Sequence, residues 1–209
     1  MISKKNIQKV LEILESEYGN TTTALKFETD FQLLVSTIMS AQSTDDQVNK
    51  ITETLFLEHP DAESFAVLSL EELEEKIKKV GLFRSKAKNI LATAKKILNE
   101  YNGEVPRTRE ELTQLPGVGR KTANVVMSVA FGIPAIAVDT HVFRVSNRIG
   151  LANAKNELNT EKDLQKNIPQ EKWSMAHHWL IWHGRKVCKA QNPKCEICPL
   201  KEYCQYFIG

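Results

Sequence analysis

The sequence predicts an all-α fold. Its apolar residues recur at intervals of three and four, helix-starting signals are frequent, and no strand-like alternation occurs. The first apolar stripe consists of Ile7, Val10, Leu11 and Leu14. The second consists of Phe31, Leu34, Val35, Ile38 and Met39. Each stripe is expected to bury one face of a helix in a core.

Capping signals predict where the following helices begin and end. A side chain that can accept from the first turn, followed three residues later by a polar partner, marks a helix start. Such pairs are Thr44 with Gln47, Ser69 with Glu72, Thr108 with Glu111, and Thr160 with Asp163. Gly103 is expected to end a helix that starts near Ser85, and the segment 132–134 to end the helix after residue 119.

Length, charge and hydropathy limit the function classes. The chain has 209 residues, enough for one large domain or two small ones, and a formal net charge of only +2. Any contact with DNA must therefore come from local placement of basic residues. No stretch is apolar enough for a signal peptide or a membrane span, which predicts no membrane partner and a bacterial-type cytoplasmic location.

The segment Leu115-Pro116-Gly117-Val118-Gly119-Arg120-Lys121-Thr122-Ala123 predicts a phosphate-binding hairpin followed by a helix. Glycines let backbone N–H groups approach an anion closely, and the helix N-terminus adds positive potential. Lys121 falls in the first helical turn, where that potential disfavours the ammonium form and favours a nucleophilic amine. A carboxylate, Asp139, follows 18 residues later.

Both residues also have plainer interpretations. Lys121 can serve as a phosphate-binding lysine, as lysines at helix N-termini often do. Asp139 is well placed to be the N-cap of a helix that begins with Thr140-His141. A carboxylate can perform both functions. The adjacent His177 and His178 indicate a packed amphipathic helix rather than metal ligands, since neighbouring helical residues point about 100° apart.

All four cysteines lie in the last 22 residues, with the spacing C-x6-C-x2-C-x5-C. They are Cys188, Cys195, Cys198 and Cys204. Nothing in the chain supports the oxidising compartment that disulfides need. Structural zinc usually draws on two close pairs or mixes cysteine with histidine, whereas four thiolates also suit a cubane iron-sulfur cluster. The spacing favours the cluster but leaves zinc open.

Together these features resemble the endonuclease III family of bifunctional DNA glycosylases, over almost the whole chain. The residues that carry the resemblance are 115–123, 137–141, 40–45, 81–87 and the four cysteines. The resemblance implies two helical domains that flank a DNA-binding cleft. Residues 22–133 would form a helical barrel with the helix-hairpin-helix motif. Residues 1–21 plus 134–209 would form the second domain, where the cysteines hold a [4Fe-4S] cluster with a structural or DNA-sensing role.

The resemblance also implies individual roles. Lys121 would attack C1′ of the damaged nucleotide with help from Asp139, giving base removal and AP lyase cleavage of duplex DNA that contains an oxidised or saturated pyrimidine. The remaining residues that would contact DNA or line the pocket are Gln42 and Leu82 in the base stack, Gly117, Val118, Gly119, Lys189 and Lys194 at the backbone, and Ser40, Asp45 and His141 at the pocket. A monomer is expected.

Two other function classes stay open. A non-catalytic DNA-binding module would use Lys121 and the cluster only to position the protein, and would bind damaged duplex without breaking it. A redox or metal-carrier protein would use the cysteines alone and show no affinity for DNA.

The loop between Cys188 and Cys195 departs from a strongly basic pattern, because Gln191 and Asn192 lie between its two lysines.

Overall fold

The computed structural model describes residues 1–209 and is built from helices alone, so the all-α prediction is confirmed. The α-helices are α1 (Lys4–Tyr18), α2 (Asp30–Ser40), α3 (Asp45–Glu58), α4 (Ala62–Ala66), α5 (Leu70–Ile77), α6 (Phe83–Tyr101), α7 (Arg109–Leu112), α8 (Arg120–Val129), α9 (Thr140–Ile149), α10 (Glu157–Asn167), α11 (Trp173–Lys186) and α12 (Gln205–Ile208). Short 3-10 turns span Gln170–Lys172, Cys195–Ile197 and Lys201–Tyr203. None of the helices combines the length and apolarity needed to cross a bilayer.

The chain forms two compact units. One consists of Met1–Thr23 with Gly132–Gly209, and the other of Ala24–Phe131. The division predicted from the sequence lay at residues 22 and 133.

The unit formed by residues 24–131 contains α2 to α8 around a core centred on α2. The second apolar stripe lies along α2, and all five of its side chains are at most 6% exposed. Helix α2 packs against α3, α6 and α8, while α4 and α5 pack against α6. Phe31 and Phe65 meet edge to face with ring centroids 5.3 Å apart. Helix α2 is thus buried on more than one face, and it supports the loops at its two ends.

The unit formed by residues 1–23 and 132–209 contains α1 and α9 to α12. The first apolar stripe lies along α1, at most 7% exposed, and α11 packs against both α1 and α9. Trp179 of α11 is 1% exposed, and its Nε1 donates to the carbonyl oxygen of Gly19 at 2.7 Å. The two ends of the chain therefore share one core.

Three of the four predicted helix starts are observed. Thr44, Ser69 and Thr108 are N-caps whose side-chain oxygens accept from backbone N–H groups three residues on. Glu72 completes a reciprocal capping box with Ser69. These caps satisfy backbone donors that a helix cannot satisfy internally.

The fourth predicted start, Thr160 with Asp163, is wrong. Asn156 caps α10 by accepting from the N–H of Asn159, so the helix begins one turn earlier. Thr160 is fully buried in the helix, and its hydroxyl donates back to the carbonyl of Asn156 at 2.9 Å. Asp163 instead accepts from the N–H of Asn153. Asn156 and Thr160 are both residue types that cap helices, and the structure uses Asn156 for the cap while Thr160 is buried within the helix.

Helix α6 begins at Phe83, slightly before the predicted start near Ser85, and ends at Tyr101, just before Gly103. Helix α8 ends at Val129, before the predicted stop at 132–134. Gly132 has a φ of +63°, which favours glycine.

His178 lies on α11 and is packed in the core as predicted, with 6% of its surface exposed. Its ring lies 3.9 Å from that of His177, centroid to centroid. Burial disfavours the charged imidazolium and lowers the pKa of His178 from its usual 6.5 to about 4. The folded chain therefore keeps this ring neutral at pH values where the unfolded chain protonates it.

We predict that the free energy of unfolding falls as the pH drops from about 6.5 towards 4, since the unfolded state binds more protons in that window. His178 accounts for about 2 kcal/mol of the loss between pH 7 and pH 5. Urea unfolding followed by circular dichroism at both pH values measures it. The His178→Gln variant should lose about 2 kcal/mol less than the wild type. Equal losses would contradict a buried neutral ring.

Candidate active site

The hairpin before α8 requires glycine at its first turn. Gly117 has a φ of +77°, and a Cβ there would lie 2.9 Å from side-chain atoms of Asn89. The N–H of Val118 donates to the carbonyl of Leu115 at 3.1 Å, and the Val118 side chain is 6% exposed. The backbone hydrogen bond and the buried side chain of Val118 therefore stabilise the turn, whereas Gly117 and Gly119 are exposed.

The hairpin leads into the N-terminus of α8, which no side chain caps. Gly119 occupies the N-cap position, and a Cβ built there would meet nothing within 4 Å. Thr93 of α6 anchors the other side of the hairpin by donating from Oγ1 to the carbonyl of Pro116 at 2.9 Å. Lys121 is the second residue of α8 and is exposed. The open N-terminus and the amine thus share one surface, suited to an anion and to a reacting carbon beside it.

Asp139 is the N-cap of α9, as its position in the sequence predicted. Its Oδ1 accepts from the N–H groups of His141 and Val142, both at 2.8 Å. Its Oδ2 lies 3.4 Å from Nδ1 of His141. The carboxylate is 16% exposed. One oxygen is therefore committed to the helix end, and the second faces the half-buried His141 and solvent.

Gln42 and Leu82 both adopt left-handed backbone conformations, with φ values of 55° and 57°. Such values are uncommon for residues with a Cβ, and a bulky residue is a genuine outlier there. Leu82 is 61% exposed although it is apolar, and Gln42 is also exposed. Strained residues held at exposed positions tend to lie at ligand-contacting sites. In the sequence, only the family resemblance predicts a DNA-contacting role for these two residues.

The loops that carry these two residues are joined directly. Ser43 Oγ accepts from the N–H of Gly81 at 3.1 Å. A Cβ at Gly81 would lie 3.0 Å from the carbonyl oxygen of Gln42, so the loops approach closely only because residue 81 is glycine. Ser40 donates from Oγ to the carbonyl of Thr37 at 2.8 Å and, like Asp45 at the start of α3, is half-buried.

The four cysteines line one cavity in the unit that contains both chain termini. None forms a disulfide. No three His, Cys, Asp or Glu side chains lie in an arrangement that could bind one metal ion. Four thiols spread around one cavity fit a cubane cluster, in which each thiolate binds a different iron. Burial raises the pKa of the Cys198 and Cys204 thiols, and iron would stabilise their thiolate forms.

Two arginines of α9 hold the loop between the first two cysteines, a role that sequence reasoning missed. Arg144 donates from Nε and Nη2 to the carbonyl of Cys188 at 3.2 and 3.1 Å. Arg148 donates to the carbonyls of Lys189 and Ala190 at 2.7 and 3.0 Å. The two arginines lie four residues apart and therefore on one helix face. This spacing is the signal of their shared role in the sequence. Lys189 and Lys194 are left exposed.

A buried polar chain also reaches the cavity. The Tyr18 hydroxyl lies 2.9 Å from Nδ1 of His183, and Nε2 of His183 lies 3.6 Å from Cys198 Sγ. A thiolate only accepts, so the cluster-bound state requires Nε2–H to donate to sulfur and the Tyr18 hydroxyl to donate to Nδ1. His183 is fully buried. Both residues thereby orient a cysteine that would bind iron.

Comparison with known proteins identifies both the segment that contains the hairpin and the segment that contains the cysteines. Residues 35–170 match the HhH-GPD superfamily of base excision DNA repair proteins, and residues 188–204 match the iron-sulfur binding domain of endonuclease III. The second match favours the cluster over zinc. A [4Fe-4S] cluster is the cofactor of this domain, and Cys188, Cys195, Cys198 and Cys204 would hold it.

Whole-chain relatives agree. The chain is 49% identical to endonuclease III of Bacillus subtilis, over 98% of its own length and 94% of the relative. It is 49% identical to endonuclease III of Rickettsia conorii, over 97% of each chain. Its fold matches the structure of a trapped endonuclease III–DNA covalent intermediate with a TM-score of 0.95 and 47% identity, over 99% of this chain and 98% of that one. The chain therefore belongs to the endonuclease III family of bifunctional DNA glycosylases and AP lyases.

Proposed function

We propose that this chain removes oxidised or saturated pyrimidines from duplex DNA and then cleaves the strand, with Lys121 as the nucleophile. The observation that carries the proposal is the exposed primary amine of Lys121 in the first turn of a helix whose N-terminus no side chain caps. A phosphate at that N-terminus would fix the position of the sugar beside the amine. The relative trapped covalently on DNA supports a covalent mechanism for the family.

Recognition begins with the DNA backbone and the base stack. Gly117 and Gly119 expose the hairpin backbone to a phosphate, and Lys189 and Lys194 add local positive charge where the net charge is only +2. The target nucleotide leaves the stack, which a weakened pair permits at the lowest cost. Gln42 would fill the space left behind, and the exposed Leu82 would enter the opposite strand.

The chemistry follows from an amine at C1′. The neutral Nζ of Lys121 attacks C1′, the bond from C1′ to the base nitrogen breaks, and the base leaves with a proton. Ring opening then gives an imine between Nζ and C1′. The imine acidifies the C2′ proton, whose loss expels the 3′ phosphate by β-elimination. Water hydrolyses the imine and regenerates the amine.

Asp139 would assist through Oδ2, since Oδ1 already caps α9. A carboxylate at that point can accept the ammonium proton of Lys121 or stabilise positive charge that develops on the sugar. His141 beside Oδ2, together with Ser40 and Asp45, would line the pocket. When bound, the cluster supplies iron–thiolate bonds that fasten residues 188–204.

The partner would be damaged double-stranded DNA, bound by a monomer in a bacterial cytoplasm. The relatives compared above are bacterial proteins.

Borohydride trapping tests the nucleophile. Wild-type protein, a duplex with one thymine glycol and the reductant should give a covalent protein–DNA band, because borohydride reduces the imine to a stable amine. Lys121→Ala should give none. Lys50→Ala is the matched control, since Lys50 is an exposed lysine on α3, and it should trap like the wild type.

Three other results would change the proposal. Trapping of the wild type on an abasic site but not on thymine glycol would keep the lyase and reject the base preference. Binding without any trapping would favour a non-catalytic DNA-binding module. Absence of DNA affinity would favour a redox or metal-carrier protein.

Asp139→Asn separates the carboxylate's two roles. Asparagine caps helices as well as aspartate does, so the urea midpoint should stay unchanged. Loss of the charge should slow single-turnover base release by about 10²- to 10⁴-fold. The matched control is Asp61→Asn at the N-cap of α4, which should leave the rate unchanged. A normal rate in Asp139→Asn would reduce Asp139 to a helix cap.

A further inference from the structure

Lys86 lies in the first turn of α6 and is buried, whereas lysines on helix surfaces are usually exposed. Lys86 is 4% exposed. An ammonium group has three donors, and here they go to the carbonyl of Met39 at 2.7 Å, the carbonyl of Ala41 at 2.5 Å and Oγ of Ser43 at 3.2 Å. Every acceptor is neutral, and no carboxylate is among them.

Burying a charge without a counter-ion is costly unless dipoles replace the lost water. The two carbonyls lie at the C-terminal end of α2, where the helix leaves its last carbonyls without internal partners and carries negative potential. Lys86 thus caps α2 from a helix 45 and 47 residues away in sequence. Burial still lowers the pKa of Lys86, so capping only partly offsets the loss of water.

The contacts of Lys86 bracket Gln42. It holds Ala41 on one side and Ser43 on the other, so the backbone of Gln42 has little freedom to leave its left-handed conformation. Ser43 Oγ also accepts from the N–H of Gly81, the residue before Leu82. One ammonium therefore organises both loops that carry the strained, exposed residues.

Left-handed backbone conformations are strained in residues other than glycine and persist only where surrounding contacts enforce them. At Gln42 and Leu82 the enforcing contacts converge on Lys86 and Ser43. We propose that Lys86 is a positioning residue for lesion recognition, which pre-organises Gln42 and Leu82 for entry into the duplex. This inference rests on the proposed function. Pre-organisation spares the complex the cost of ordering the two loops when DNA binds.

The test is the ratio of dissociation constants for undamaged duplex and for duplex with a non-cleavable abasic analogue. Lys86→Met keeps the length of the side chain and removes the three donors. We expect the ratio to fall about 10-fold. Lys95→Met, an exposed lysine on the same helix, is the matched control and should keep the wild-type ratio.

A double-mutant cycle separates positioning from general destabilisation. In a Gln42→Ala/Leu82→Ala background, Lys86→Met should have no further effect on the ratio, because its effect passes through those side chains. If the same fall persisted in that background, or if Lys86→Met alone kept the wild-type ratio, the inference would be overturned.

Ser43→Ala gives an independent variant should Lys86→Met fold poorly. It removes the oxygen shared by Lys86 and Gly81 and should lower the ratio in the same direction, by a smaller factor; an unchanged ratio would also overturn the inference. Failure of the proposed function has a different signature, since the wild type itself would then show no preference for the abasic analogue or no borohydride trapping.

Discussion

The constraint on which the functional parts depend is that every helix end carries backbone groups with no internal partner. In this chain the ends are satisfied in different ways. Thr44, Ser69 and Thr108 close helix ends with their own side chains. The N-terminus of α8 is left without a side-chain cap, behind a glycine hairpin, and there the chain presents an amine. An uncapped, solvent-accessible helix N-terminus is an anion site.

Other helix ends are satisfied by charged side chains, and Lys86 and Arg144 reach such ends from distant parts of the chain. Lys86 closes the C-terminus of α2 and so shapes the loop of Gln42. Arg144 donates to the carbonyls of Gly184 and Cys188 and so fixes the exit from α11 into the cysteine loop. Asp139 closes the start of α9 through Oδ1, which accepts from two backbone N–H groups. The same polar contacts thus satisfy helix ends and fix the segments beside them.

Local patterns predict most of the helices, the hairpin with Lys121 and the cysteine site, whereas the roles of Gln42 and Leu82 are predicted only by the family resemblance. Apolar spacing, the residues of the hairpin and the cysteine spacing each operate over a few residues, so they can be read from the sequence. The predicted cap at Thr160 failed because Asn156 and Thr160 both suit that role, and the structure uses Asn156 for the cap while Thr160 is buried within the helix. Lys86 and the pair Tyr18 with His183 act across 40 or more residues, and no local pattern marks them. The spacing of Arg144 and Arg148 places both on one helix face, but their partners lie 40 or more residues away. Left-handed Gln42 and Leu82 likewise follow from tertiary contacts rather than from residue type.

We propose that the amine of Lys121 forms the covalent bond to the sugar. Proteolysis of the borohydride-reduced protein–DNA adduct, followed by mass-spectrometric mapping of the modified peptide, tests it directly. We expect the deoxyribose remnant to be attached to Nζ of Lys121 in the peptide that follows the hairpin. Attachment to the N-terminal amine of Met1 or to a loop lysine such as Lys189 would contradict it, and would reduce α8 to a phosphate-binding element.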